Sequence, residues 1–153
     1  MLQILNGLSV WLHALATIIF IGHFLLLALI YLPVLGMKDL AILSEISKHS
    51  RLWMYVSLLI FAITGVYLTF VDPNYLGLAN FGNLWAILML VKHLLILGMI
   101  AIGFWFNAVL RVGPMLNSNT GAARAIGLYR LYVNLMAIAG FLVLLLTAFS
   151  QVE

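Results

Sequence analysis

Residues 84–106 read LWAILMLVKHLLILGMIAIGFWF, an apolar run broken by a single ionisable pair, Lys92-His93. A helix of that length covers ~35 Å at 1.5 Å per residue, enough to cross a hydrocarbon core of about 30 Å. A charged group inside hydrocarbon costs roughly 2.5 kcal/mol or more, so it faces a partner, a cofactor or water. The run therefore sets the fold class and marks where function is to be sought.

Three more runs of the same kind surround it, at about residues 8–33, 52–71 and 128–149. The chain is 66% hydrophobic and 7% charged, too few charges to cover a soluble domain of 153 residues. The expected fold is all-α: a four-helix transmembrane bundle forming one integral membrane domain over residues 1–153, with the lipid bilayer as its surroundings. The first run lacks a basic leader and a small-residue cleavage site, so it reads as a span and not as a signal peptide. The chain has no cysteine, which excludes disulfides, iron–sulfur clusters and thiolate copper or zinc sites.

The placement of charge argues against nucleic acid as a partner despite a net charge of +3. Lys38, Lys48 and Arg51 lie in or beside the first loop, and Arg111, Arg124 and Arg130 in or beside the third. The second loop has Asp72 and no basic residue. The positive-inside rule puts loops one and three in the cytoplasm and both termini outside. Trp11, Tyr75, Trp85, Trp53, Tyr55, Tyr129 and Tyr132 fall near span ends, where interfacial aromatics belong. Pro33 and Pro114 follow spans one and three, where helices commonly stop. Residues 36–49 read as a short amphipathic cytoplasmic stretch, and residues 117–121 as a turn.

Topology explains six of the seven basic residues and leaves Lys92. A weak internal repeat adds a counterpart for its neighbour: His13 and His93 are 80 residues apart, and Pro33 and Pro114 are 81 apart. Tyr55-Val56-Ser57-Leu58 matches Tyr132-Val133-Asn134-Leu135, and Ala62-Ile63-Thr64-Gly65 matches Ala137-Ile138-Ala139-Gly140. The repeat predicts two tandem helical hairpins related by a pseudo-two-fold axis along the membrane normal. His13 and His93 then sit at similar depth on helices one and three. By helical phase His13, Phe20, Phe24 and Tyr31 share one line, His23 is rotated by roughly 80°, and Met89, His93, Ile100, Asn107 and Arg111 share a stripe with Lys92 one step round.

Neutral imidazole is a good axial ligand for haem iron, and helical bundles hold such cofactors between facing helices. The leading expectation is therefore a b-type haem between helices one and three, with His13 and His93 as ligands and Lys92 paired with a propionate or a substrate carboxylate, in electron transfer or related redox chemistry. Helices two and four carry no histidine within their spans, so one chain offers at most one such site. A plain structural role is the alternative, in which each histidine bonds a Ser, Thr or backbone carbonyl in a packed interior. Copper handling or transport through His13, His23, His93 and Met89 is another. A third is an accessory subunit among other membrane subunits or in a homo-oligomer. His49, beside Lys48 and Arg51, reads as an interfacial residue.

Several of these residues carry a family likeness. Trp11-Leu12-His13, Arg51-Leu52, Thr64-Gly65-Val66-Tyr67-Leu68 and Lys92 together resemble the copper-resistance protein D (CopD) superfamily over most of the chain. That superfamily is similar in turn to the bacterial oxygen-independent protoporphyrinogen oxidases, which have a His at the place of His13 and a Lys at the place of Lys92. Tyr31-Leu32-Pro33 also fits their pattern. Their Arg-x-x-Asn-Glu-Pro signature reads Arg130-Leu131-Tyr132-Val133-Asn134-Leu135 here, without Glu or Pro. The resemblance implies a bacterial plasma-membrane protein, and CopD-like copper handling by family name.

Overall fold

A computed structural model describes residues 2–35, 40–77, 80, 82–106 and 122–151. The described residues are helical apart from the loop after residue 71, with no strand among them. Four helices are long and apolar enough to cross a membrane. The protein is an integral membrane helical bundle.

Helix α1 begins at Leu2–Leu26, widens into a π segment at Leu27–Tyr31 and closes with an α turn at Leu32–Leu35. The π segment has a local cause. Pro33 has no N–H, and its ring collides with the carbonyl four residues back, so a regular α ladder cannot run through it. The ladder opens instead, and the Leu32 N–H bonds the Leu27 carbonyl, five residues back. Pro33 thus reshapes the last turns of α1, and the helix continues two residues past it. The shift in phase buries Leu27 and Leu32 and turns Tyr31 outward, off the line it would share with Phe20 and Phe24 in a regular helix.

Helix α2 (Leu40–Val71) has 32 residues, or about 48 Å of helix, well beyond a hydrocarbon core. Its first turns carry Glu45, Lys48, His49 and Arg51. From Leu40 to His49 the expected separate amphipathic stretch is the overhang of this helix, with His49 and Glu45 paired at 3.1 Å on its surface. Helix α3 (Leu84–Phe104) is capped by Asn83, whose side-chain oxygen accepts the Ala86 N–H at 2.9 Å. The Asn83 amide also donates to the Asn74 carbonyl, which ties the α2–α3 loop to the helix start. That loop turns through Gly77 at φ +112°, a conformation open to glycine alone at little cost. Helix α4 (Ala122–Ser150) closes the bundle. Asn107, Arg111, Pro114 and the expected turn at 117–121 lie outside the described residues.

Two tandem hairpins result: α1 packs on α2, and α3 on α4. They join through α1 and α4. One core cluster lies toward the α1–α2 loop end, around Leu27, Leu43, Tyr129 and Val133. A second lies at mid-depth around Phe20, Phe24, Met99 and Met136. Tyr129 and Trp85, expected near span ends, are packed within the protein at 8% and 3% exposure. Their rings fill gaps between helices that periodicity alone cannot reveal. Helix α1 comes close to α4 at Gly140, where a Cβ would stand 2.7 Å from the Ile21 Cγ2. By contrast α2 and α3 do not pack closely; they face each other across a cavity.

Candidate functional site

The face of α2 turned to α1 carries Ser57, Phe61 and Thr64 at helical spacing, all buried. In apolar surroundings each hydroxyl needs an acceptor. Ser57 donates to the Met54 carbonyl at 3.0 Å, and Thr64 to the Ile60 carbonyl at 2.6 Å. The Thr64 oxygen keeps its lone pairs, and His13 uses them.

His13 reaches across from α1 with its Nδ1 2.8 Å from the Thr64 Oγ1. Since the Thr64 proton is committed to Ile60, the imidazole is the donor in this bond: Nδ1 carries hydrogen and donates to Thr64. In the neutral ring the lone pair is then on Nε2. The ring also stacks on Phe61, with centroids 4.5 Å apart. Gly65 gives it room, because a Cβ there would come within 3.2 Å of the His13 Cε1.

His93 arrives at the same state by another route. Its Nδ1 lies 2.6 Å from the Met89 carbonyl on its own helix. A carbonyl only accepts, so Nδ1–H donates and Nε2 again holds the lone pair. His93 lines a cavity opposite Val66 and Thr69 of α2, next to the Thr64–Gly65 seat of His13. Lys92 is the neighbour of His93 on α3. Among the described residues no carboxylate lies within 4 Å of its ammonium.

His23 stands apart from this group. It faces α2 near the α1–α2 loop end, with Nε2 3.4 Å from the Ser50 hydroxyl and its ring edge-on to Phe24. Among the described residues no group of three or more His, Asp or Glu side chains is placed to hold a metal ion. Met89 lies beside His93 on the wall of the cavity.

The cavity measures about 290 Å³. Val66, Thr69 and Phe70 of α2 line it on one side, and Trp85, Ala86, Met89, Leu90 and His93 of α3 on the other. Tyr75, Leu76, Gly77 and Asn80 of the loop close its end.

His13, Lys92 and His93 were legible as candidates in the sequence, and the fold sets His13 and His93 against neighbouring turns of α2. Thr64 and Gly65 were visible as part of the internal repeat and of the CopD-like motif. Their role as the seat of His13 was not. The cavity had no sequence signal. Each histidine does bond a Ser, Thr or carbonyl, as a structural role would have it. For His13 and His93 that bond occupies Nδ1 and leaves the Nε2 lone pair.

The fold and site define an integral membrane protein with an imidazole-bearing bundle interior. No family model, curated protein or solved structure matches the chain.

Proposed function

We propose that the protein binds one b-type haem between α1 and α3, with His13 and His93 as axial ligands, and serves in electron transfer or related redox chemistry. One observation carries this reading. Two histidines on different helices, placed against neighbouring turns of α2, both hold hydrogen on Nδ1 through a bond to an oxygen acceptor. That is the tautomer an iron ligand needs, with the second-shell bond that orients it. Two imidazole nitrogens with free lone pairs are donors of the kind that haem iron takes. Helices α1 and α3 do not pack closely on each other, which is favourable for an intervening cofactor.

In this reading Thr64 and Phe61 hold the His13 ring in plane, and Met89 holds His93. Lys92, without a close carboxylate, would balance a propionate. Haem iron would supply one-electron chemistry. The CopD-like motifs agree with a redox-metal setting.

The test is the visible spectrum of protein extracted from membranes of haem-replete cells. A low-spin Soret and α-band pattern is expected in the wild type. His13→Ala and His93→Ala should each convert or abolish it, while His23→Ala leaves it unchanged. A wild-type protein without a Soret band would sink the reading.

A further inference from the structure

Helix α2 has two distinct faces. One carries Ser57, Phe61 and Thr64, buried against α1. The other carries a seam that steps by three and four residues in alternation from Ile42 to Phe70, exposed at every position. Written as a heptad, Ile42, His49, Val56, Ile63 and Phe70 fall at a. Glu45, Leu52, Leu59 and Val66 fall at d. Leu52, Leu59 and Ile63 are 68%, 62% and 63% exposed, so no element of this chain covers them.

Lipid accounts for an apolar outward face. It does not account for the order of residue types along it. The β-branched Ile42, Val56 and Ile63 stand at a and the leucines Leu52 and Leu59 at d, the order that favours parallel two-stranded packing. Copies of one chain enter the bilayer in one orientation, so their α2 helices are parallel. A two-fold axis along the membrane normal then sets a against a and d against d. The seam also continues through Ile42 into the overhang of α2, where covering that side chain gains hydrophobic free energy as well as packing contacts.

The polar positions complement each other in the same arrangement. Glu45 and His49, paired at 3.1 Å within one helix, interrupt the apolar seam. In knobs-into-holes packing a residue at a enters a hole that includes the preceding d position of the facing helix. His49 thus meets Glu45 of the second copy, and by symmetry Glu45 meets the second copy's His49. Lys48, at g, reaches the second copy's Trp53 at e, an indole 62% exposed in the single chain, as a cation–π contact.

We propose that the chain forms a parallel homodimer through this seam, α2 crossing its copy at about +20° as left-handed coiled helices do. The inference does not depend on the haem reading, whose ligands lie on α1 and α3.

Because the chain has no cysteine, single cysteines report the contact directly. In membranes holding the full chain, Leu52→Cys, Leu59→Cys and Val66→Cys should form disulfide-linked dimers on treatment with iodine. Leu97→Cys on α3 and Ile138→Cys on α4, 60% and 59% exposed as the native residues, should not. Association of purified, dye-labelled chains in phosphatidylcholine vesicles is then followed by energy transfer as the protein-to-lipid ratio falls. Leu52→Ala with Leu59→Ala should weaken it at least ten-fold with unchanged circular dichroism, while Leu94→Ala with Leu97→Ala leaves it as wild type. His49→Glu, which sets carboxylates against carboxylates, should weaken it too, and His49→Lys should not. A monomer at every ratio, or cross-linking at Leu97 and Ile138 equal to that on the seam, would overturn the inference. So would seam cross-links in native membranes that lead only to a product of another mass, since the face would then belong to a different protein.

Discussion

His13 and His93 carry the same proton for different reasons. His93 needs only its own helix: a histidine turned toward the preceding turn meets the carbonyl four residues back. His13 needs a residue 51 positions away, whose own proton must already be committed. Thr64→Val keeps the volume and removes the acceptor. The helix contact should weaken by about 1 kcal/mol, the scale of one hydrogen bond between membrane helices. His13 would also lose the bond that sets its tautomer. Second-shell losses of this kind commonly cost 10–100-fold in metal affinity. Haem retention during dialysis against apo-myoglobin should therefore fall by a factor in that range, and Thr64→Ser should restore most of it. Retention equal to wild type in Thr64→Val would separate Thr64 from the ligand. At this scale the candidates were legible because an ionisable group in an apolar run stands out on its own. Their partners were not, because a threonine in a membrane helix looks the same whether it serves its own backbone or a neighbour.

At the scale of the element, composition explains more. Pro33 opens the end of α1 through a clash any helix would feel. Asn83 starts α3 with a cap that any sequence reader would accept. Helix contacts follow a different logic. In lipid no hydrophobic force separates one apolar face from another, so packing is set by close approach and small residues. Gly140 is such a point. Ile21 is 2% exposed and β-branched, so it has little freedom to move away from an added methyl. Gly140→Ala should force α1 and α4 apart and destabilise the bundle by roughly 1–3 kcal/mol, as overpacking does elsewhere. Gly127→Ala, with open space around it, should be silent. Unfolding in mixed micelles with increasing dodecyl sulfate would rank the two. Equal midpoints would show that the α1–α4 contact relaxes freely.

For the whole molecule, orientation comes from charge and packing from shape. The distribution of Lys and Arg predicts loops one and three on the cytoplasmic side. The chain has no cysteine, so single-cysteine probes read the topology without a background. In intact cells Asn74→Cys, in the exposed α2–α3 loop, should react with an impermeant maleimide, and Lys48→Cys only after lysis. The opposite pattern would reverse the proposed topology.

The sequence by itself determined that this is a membrane protein of four helices, because bilayer thickness and backbone hydrogen bonding leave a long apolar run no other form. It also determined which polar residues lie inside those helices, since composition is local. Only the tertiary structure decided that His13 leans on Thr64, that Trp85 is buried, and that α2 and α3 part to leave a slot ending on His93. Those outcomes depend on which lipid-like face meets which, and in a chain apolar on nearly every side hydropathy does not distinguish one face from another.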